Sequence, residues 1–485
     1  MATVITSIGS KSIYTNPVNG QFAITGSSGS GDPWTGTVSH AGSSVTANVG
    51  DMLFFRQVHT DCGGWSGCTT GPVDVVYLIT AVNSGSDSLT IKYISGLASA
   101  SSGQAPTVLS SNSYTFTQAQ PYVLRFYSTP ATWDTGLNDD DLYSDGDIAK
   151  GECYDDSDFD IGASITIDGG GSLSDGSLDT VILSAAAGER HDGTAKEVGG
   201  SGVRFLFSGA YAFYINEARD AWVEWIDFDA NDQEIRNVGV IYLQGGSWYT
   251  QHENGAVWCI VHNNIGQNSV GGNDHTMGIR GLGAGKFICN CIVYNMSNRG
   301  TEDSYGIYTN DQDRTIVTNC TVYNIHGFDT TPALSDAIGV QTSATANAQY
   351  RNNISARVYG SANNLCFANS AGGDNNNLST DDTADGTNCV ADVDYNDLFV
   401  STSPGAEDLH LKNGSPALRA GEDLGTQRTI GGATIPPIAG LMNVDLDGRD
   451  RDAEGDDWDI GVDQCEDCSE GGATGNPAFL LFLDS

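Results

Sequence analysis

Basic residues are scarce in this chain. Of 485 residues only 21 are Lys or Arg, against 61 Asp or Glu, which gives a formal net charge of −40. A surface of that sign cannot neutralise phosphate, so nucleic acid is excluded as a partner, and anionic membranes or polyanionic glycans are repelled unless a cation intervenes. A polysaccharide lyase, which needs a basic catalytic group and basic substrate clamps, is disfavoured on the same ground. No run approaches 18 apolar residues, so no membrane-inserting helix is expected. Residues 1–7 lack a basic stretch followed by a long apolar one, so no secretory signal is visible. Long segments with a 3.6-residue apolar period are missing as well. The eight histidines show no H-E-x-x-H or comparable ligand spacing. His191, in Glu-Arg-His-Asp, is the most suggestive of them and reads as part of a structural loop.

What is present points to β-structure. Glycine occupies 61 positions, and aromatic residues (9%) and Val or Ile are spread along the chain, which favours a folded acidic protein over a disordered one. Short β-rich runs such as Val203–Phe207 and Trp222–Phe228 alternate with Gly, Asn, Asp and Ser. Four of these runs are copies of one another, anchored on Trp225, Cys259, Cys291 and Cys320, with a weaker fifth at Asn353. The steps are about 34, 32, 29 and 33 residues, a period typical of stacked repeats. A second strand type falls between the anchors and begins at Gly239, Gly278, Gly306 and Gly339. Two strand types recurring in the same order predict an all-β fold, a right-handed parallel β-helix in which each coil pairs with the next. The anchors should form a column, Trp225 over Cys259 over Cys291 over Cys320. Asn290, Asn319 and Asn352, each preceding an anchor, suit a left-handed turn and hydrogen bonds between coils.

Residues 1–21 supply an entry strand of the β-helix. Residues 22–126, rich in Ser, Thr, Gly and Val, form a small antiparallel β-barrel or sandwich inserted near that entry, with a hairpin pattern across Val73–Val82 and Leu89–Tyr93. Residues 127–463 form the parallel β-helix. Residues 464–485 form a Gly-rich linker and a tail, in which Phe479, Leu480, Leu481, Phe482 and Leu483 make an apolar run that must be buried, either against its own β-helix or in a neighbouring subunit by strand addition.

The eleven cysteines are an odd number, so at least one is unpaired within the chain. Cys62 with Cys68, and Cys465 with Cys468, are spaced for local disulfides; the redox and zinc readings of the second pair lack a following helix and a second cysteine pair. Cys259, Cys291 and Cys320 lie in apolar strands, where a thiol behaves as a small hydrophobe.

Acidic residues offer the only candidates for chemistry. Asp274, Asp303 and Asp336 each precede the glycine of the second strand type by three or four residues and should stack about 5 Å apart. Capping of turn amides accounts for such a column; calcium binding and glycoside hydrolysis by paired carboxylates are the alternatives. Asp445, Asp447 and Asp450 open the densest acidic cluster, which is either a solvated loop or a calcium site without EF-hand spacing.

Two sets of segments carry resemblances. The run from Asp408 to Gly421 (Asp-Leu-His-Leu-Lys-Asn-Gly-Ser-Pro-Ala-Leu-Arg-Ala-Gly), with Asp445-Leu-Asp-Gly-Arg-Asp450 and Asp459-Ile-Gly461, resembles the end of the helix in pectate-lyase-like parallel β-helix proteins. Trp133, the run Asp145-Gly-Asp-Ile-Ala-Lys-Gly-Glu-Cys-Tyr-Asp-Asp-Ser157, the run Leu183-Ser-Ala-Ala-Ala-Gly-Glu-Arg-His-Asp-Gly193 and Val4-Ile-Thr-Ser-Ile-Gly9 are similar to β-helix proteins of tailed, often marine, phages. That resemblance implies a structural virion protein, assembled in the host cytoplasm: a capsid decoration, head-fibre or tail-fibre subunit. Its partners would be itself, other virion proteins and a host surface glycan. It brings no catalytic residues. The alternatives on the same fold are a tailspike-type glycan hydrolase and an extracellular filament subunit.

Overall fold

The computed structural model describes residues 3–10, 12–13, 22–26, 35–39, 47–58, 73–83, 88–93, 114–116, 121–137, 142–143, 146–167, 178–210, 212–215, 220–244, 253–266, 275–283, 285–299, 302–310, 315–327, 335–341, 349–360, 363–368, 374–424, 429–430, 433–434, 443–454, 458–465 and 468. It divides into two compact units, Met1–Ser157 with Gly169–Leu183, and Asp158–Asp168 with Ser184–Ser485.

The first unit holds an eight-stranded antiparallel sheet. Its order is Ser12–Ile13, Pro121–Leu124, Met52–Val58, Val73–Asn83, Ser88–Tyr93, Thr35–Ser39, Phe22–Gly26 and Tyr114–Phe116. The hairpin is in place, with Val82 opposite Leu89, and Ile79, Leu89 and Ile91 are buried. Outside this sheet, Thr3–Ile8 pairs in parallel with Ile148–Cys153. One short helix, Pro130–Gly136, begins at Thr129, which shares a capping box with Thr132, and it buries Trp133. Arg125 lies between Asp51 (3.0 Å) and Asp156 (2.9 Å), all three nearly closed to solvent, with its guanidinium over the Tyr154 ring.

The second unit is built from three parallel sheets. The first runs through Asp220–Glu224, Asn254–Val257, Lys286–Cys289, Ile316–Thr318, Gln349–Arg351 and Asp374–Asn375. The second runs through Phe159–Ile161, Arg204–Phe207, Asp227–Asp229, Ile260–His262, Ile292–Asn298, Thr321–Gly327, Ile354–Tyr359 and Leu378–Ser379. The third runs through Ile165–Ile167, Phe213–Ile215, Ile241–Gln244, Thr276–Leu282, Ser304–Asn310, Ala337–Gln341 and Asn364–Ala368. From Asp220 to Ala368 the chain visits the sheets in a fixed order, and each strand pairs with its counterpart one repeat later. Apolar residues at equivalent positions stack, as in Val223, Ala256, Ile288, Val317 and Tyr350, all buried. Gly306 lets the third sheet approach the second, since a Cβ there would land on the Val322 side chain.

The register corrects the expected anchor column at its first member. Glu224 pairs with Val257 and Asp227 with Ile260, so Trp225 lies over Trp258 and Ile226 over Cys259. The left-handed turn explains the slip. Trp225 (φ 59°) and Trp258 (φ 50°) occupy the turn position that Asn290, Asn319, Asn352 and Asn376 take in later repeats. A bulky aromatic in that conformation is an outlier and gives no sequence signal for a turn. The glycine series is displaced in the same way: Ile241 pairs with Ile279, which sets Val240, not Gly239, opposite Gly278.

The cysteine column is confirmed from Cys259 onward and has a further role. Each thiol of Cys259, Cys291 and Cys320 has two carbonyls in reach of its single proton, one a repeat back (Val223, Ala256, Ile288) and one two residues earlier (Val257, Cys289, Thr318). Asn353 and Asn377 continue the same task through their amides, to Val317 and Tyr350. The thiols are therefore donors as well as apolar filling.

Candidate functional site

Among the described residues, two groups of histidine and carboxylate side chains are close enough to hold a metal ion: Glu197, Asp229 and His262, and His410, Asp447 and Asp463. The first sits on two adjacent interior strands of the second sheet. Asp227 begins and Asp229 ends one strand, His262 ends the next, and Asp229 pairs directly with His262. Glu197 comes from the short 3-10 turn Lys196–Val198. His262 is closed to solvent and its ring lies flat on Tyr294, centroids 4.9 Å apart. Nε2 faces the buried Asp227 carboxylate at 2.8 Å. Nδ1 lies 3.4 Å from Glu197 Oε1 and 3.8 Å from Asp229 Oδ1 and makes no hydrogen bond. Burial works against protonation of His262, but the charge and hydrogen bond of Asp227, with Glu197 and Asp229, push it up to about 10. Burial itself raises Asp229.

A ladder of asparagine amides ends on these carboxylates. Asn263, Asn295 and Asn324 share a second left-handed turn, φ 61°, 56° and 58°. Asn324 donates to Asn295, Asn295 to Asn263, and Asn263 to Glu197 (2.8 Å) and Asp229 (3.3 Å).

The second group is of a different kind. Both ring nitrogens of His410 already face acceptors: Nδ1 meets Asp408 at 2.5 Å, and Nε2 meets the Asp192 carbonyl and Asp447 at 2.9 and 3.1 Å. Against the cost of burial, these partners push His410 up to about 11, so it is an imidazolium in an ion-pair network.

The acidic residues singled out in the sequence are used locally. Asp274 lies outside the described residues. The register Thr276 opposite Ser304 places His275, rather than Asp274, across from Asp303. The resulting column caps strand entries. The amide of Asp303 donates to His275 Nδ1, that of Asp336 to Asp303 Oδ1, and that of Asn363 to Asp336 Oδ1. Asp303 Oδ2 also accepts the Tyr305 hydroxyl at 2.7 Å.

Asp445, Asp447 and Asp450 do not converge. Asp445 is buried and accepts the amides of Asp447, Arg449 and Gln464. Asp447 joins the His410 group, and Asp450 accepts the amide of Asp452. Arg451, also buried, donates to the carbonyls of Gly461 and Val462. Cys465 and Cys468 are disulfide-bonded. Cys62, Cys68 and the run Phe479, Leu480, Leu481, Phe482 and Leu483 lie outside the described residues.

One further patch combines a cation with aromatic rings. Arg357 donates to the hydroxyls of Tyr323 (2.7 Å) and Tyr359 (3.1 Å) and lies 5.4 Å from the Tyr395 ring. Tyr359 is 40% exposed.

No protein-family profile matches the chain, and no curated protein matches it. Among solved structures, the tailspike protein gp49 from Pseudomonas phage LKA1 aligns with 77% of this chain at 12% identity and a TM-score of 0.15. The chain matches 63% of that protein's length. At this TM-score the likeness has no bearing on fold or activity. No described helix is long and apolar enough to cross a membrane.

Proposed function

We propose that this chain is a self-assembling structural subunit of a tailed-phage virion, a capsid decoration, head-fibre or tail-fibre protein whose three parallel sheets are the faces of a right-handed β-helix. The supporting observation is how the chain uses the residues that resemble phage and β-helix proteins. Asp156 holds Arg125, His191 Nε2 bonds the Trp258 carbonyl at 2.8 Å, and Asp445 and Asp459 cap backbone amides. Each is an internal fastening of its own unit. Light scattering after size-exclusion chromatography tests the proposal, on the full chain and on a chain ending at Glu470. A full chain at a multiple of 51.0 kDa and a monomeric truncation support assembly through the apolar tail. Two monomers contradict it.

A second reading, glycan recognition on the same fold, rests on the Arg357 patch, where exposed Tyr359 offers a stacking face beside a guanidinium. Glycan binding lost in Tyr359→Ala, with the thermal transition unchanged, supports it. Cleavage lost in Asp303→Asn with Asp336→Asn would instead point to hydrolysis.

A further inference from the structure

The Nδ1 atom of His262 is buried and makes no well-aligned hydrogen bond; it faces Glu197 Oε1 at 3.4 Å and Asp229 Oδ1 at 3.8 Å. Its other nitrogen is fixed on Asp227. A ligating histidine ordinarily has this arrangement, with a carboxylate on the far nitrogen that sets the tautomer and aims the near one at a metal. The Asp227 carboxylate is itself held, since its second oxygen accepts the Lys196 amide at 2.9 Å.

The spacing suits a small ion. One atom each from Glu197, Asp229 and His262 lies within 4.8 Å of the other two. Ligands about 2.0–2.1 Å from a tetrahedral zinc stand about 3.4 Å from one another. The Nδ1 separations, 3.4 and 3.8 Å, are close to that value, and the two carboxylate oxygens lie within 4.8 Å of each other. Charge points the same way. Asp158, Glu197, Asp227 and Asp229 face Lys196 and Arg204, which leaves two carboxylate charges that a protonated His262 offsets only in part. A divalent cation balances them. A nitrogen donor with two carboxylates favours a borderline first-row ion over calcium, which takes six to eight oxygens.

We propose that Glu197, Asp229 and His262 bind one first-row divalent cation, with zinc favoured, which ties the 3-10 turn at Lys196–Val198 to the adjacent strands Asp227–Asp229 and Ile260–His262 of the second sheet. Three protein ligands leave one coordination position for water. The Asn263 amide, which reaches both carboxylates, holds the pair in place. The His410 group is not such a site, because both of its ring nitrogens are already engaged.

The full chain, stripped with chelator, would be titrated with zinc by calorimetry alongside Glu197→Gln, Asp229→Asn and Asp447→Asn. Glu197 is partly exposed, so its variant keeps the fold. The expected result is one tight site in the parent, a rise in melting temperature on adding zinc, and at least tenfold weaker binding in Glu197→Gln and Asp229→Asn. Asp447→Asn should bind as the parent does. Cobalt substitution should give a ligand-field spectrum that Glu197→Gln alters. Equal affinity and stoichiometry in the parent and Glu197→Gln, or a loss confined to Asp447→Asn, overturns the proposal.

Discussion

Trp225 and Trp258 stack face to face, their ring centroids 4.9 Å apart and their planes 11° from parallel. Arg190 lies over the outer ring, and Trp258 Nε1 donates to the Val444 carbonyl at 2.9 Å. Both tryptophans hold a left-handed backbone that costs on the order of 1–3 kcal/mol, which the buried stack offsets. Trp258→Ala should lower stability by about 3–5 kcal/mol, read from urea unfolding. A loss below about 1 kcal/mol would mean that the stack does not carry this turn.

The column below it makes a second prediction. Asn353 donates to the Val317 carbonyl and accepts the Cys320 amide, so Asn353→Ala leaves two buried backbone groups unpaired. The expected cost is about 1–3 kcal/mol. The neighbouring thiols are buried, and burial raises Cys291 well above an ordinary thiol. Cys259, Cys291 and Cys320 should resist alkylation in the native protein and react on unfolding, as peptide mass spectrometry would show.

These columns also show what the sequence made legible. Asn290, Asn319 and Asn352 recur with a residue type suited to a left-handed turn, and the parallel pairing of their repeats follows the period. Trp225 occupies the same turn without the asparagine, and aligning it with Cys259 shifts that repeat by one residue. The slip places Asp229 opposite Asn263, whereas the strands place it opposite His262. That single position hid the histidine–carboxylate group. Glu197 was beyond reach in any case, because it lies outside the repeat and meets His262 only through the tertiary fold.

Arg125 is the pivot of the first unit. Burial opposes its charge, but hydrogen bonds and charge from Asp156 and Asp51 outweigh that and raise its pKa. Arg125→Met leaves two buried carboxylates without a cation and should cost about 3–5 kcal/mol. Calorimetry should show the loss in the transition of the antiparallel sheet. An unchanged transition would count against a buried triad.

Acidification should stabilise the protein. Burial pushes Asp445 and Asp459 up to about 6, above the roughly 3.9 of an unfolded chain. Their ionisation therefore costs stability as pH rises from about 4 to 6. His410, held at about 11 against roughly 6.5 unfolded, contributes fully below about pH 6.5 and less as pH climbs toward 11. Both terms have the same sign, so the melting temperature should be higher near pH 5 than near pH 8. A scan across that range that rises instead would contradict both assignments.

The register of the repeats underlies both columns and the histidine–carboxylate group, and an experimental density map that resolves side chains tests it. The expected map shows the Trp225 ring on the Trp258 ring at about 4.9 Å, with Asn319 and Asn352 in the same column and joined by the 3.1 Å bond between their amides. A map in which Trp225 lies over Cys259, or in which these strands do not pair in parallel, would contradict it.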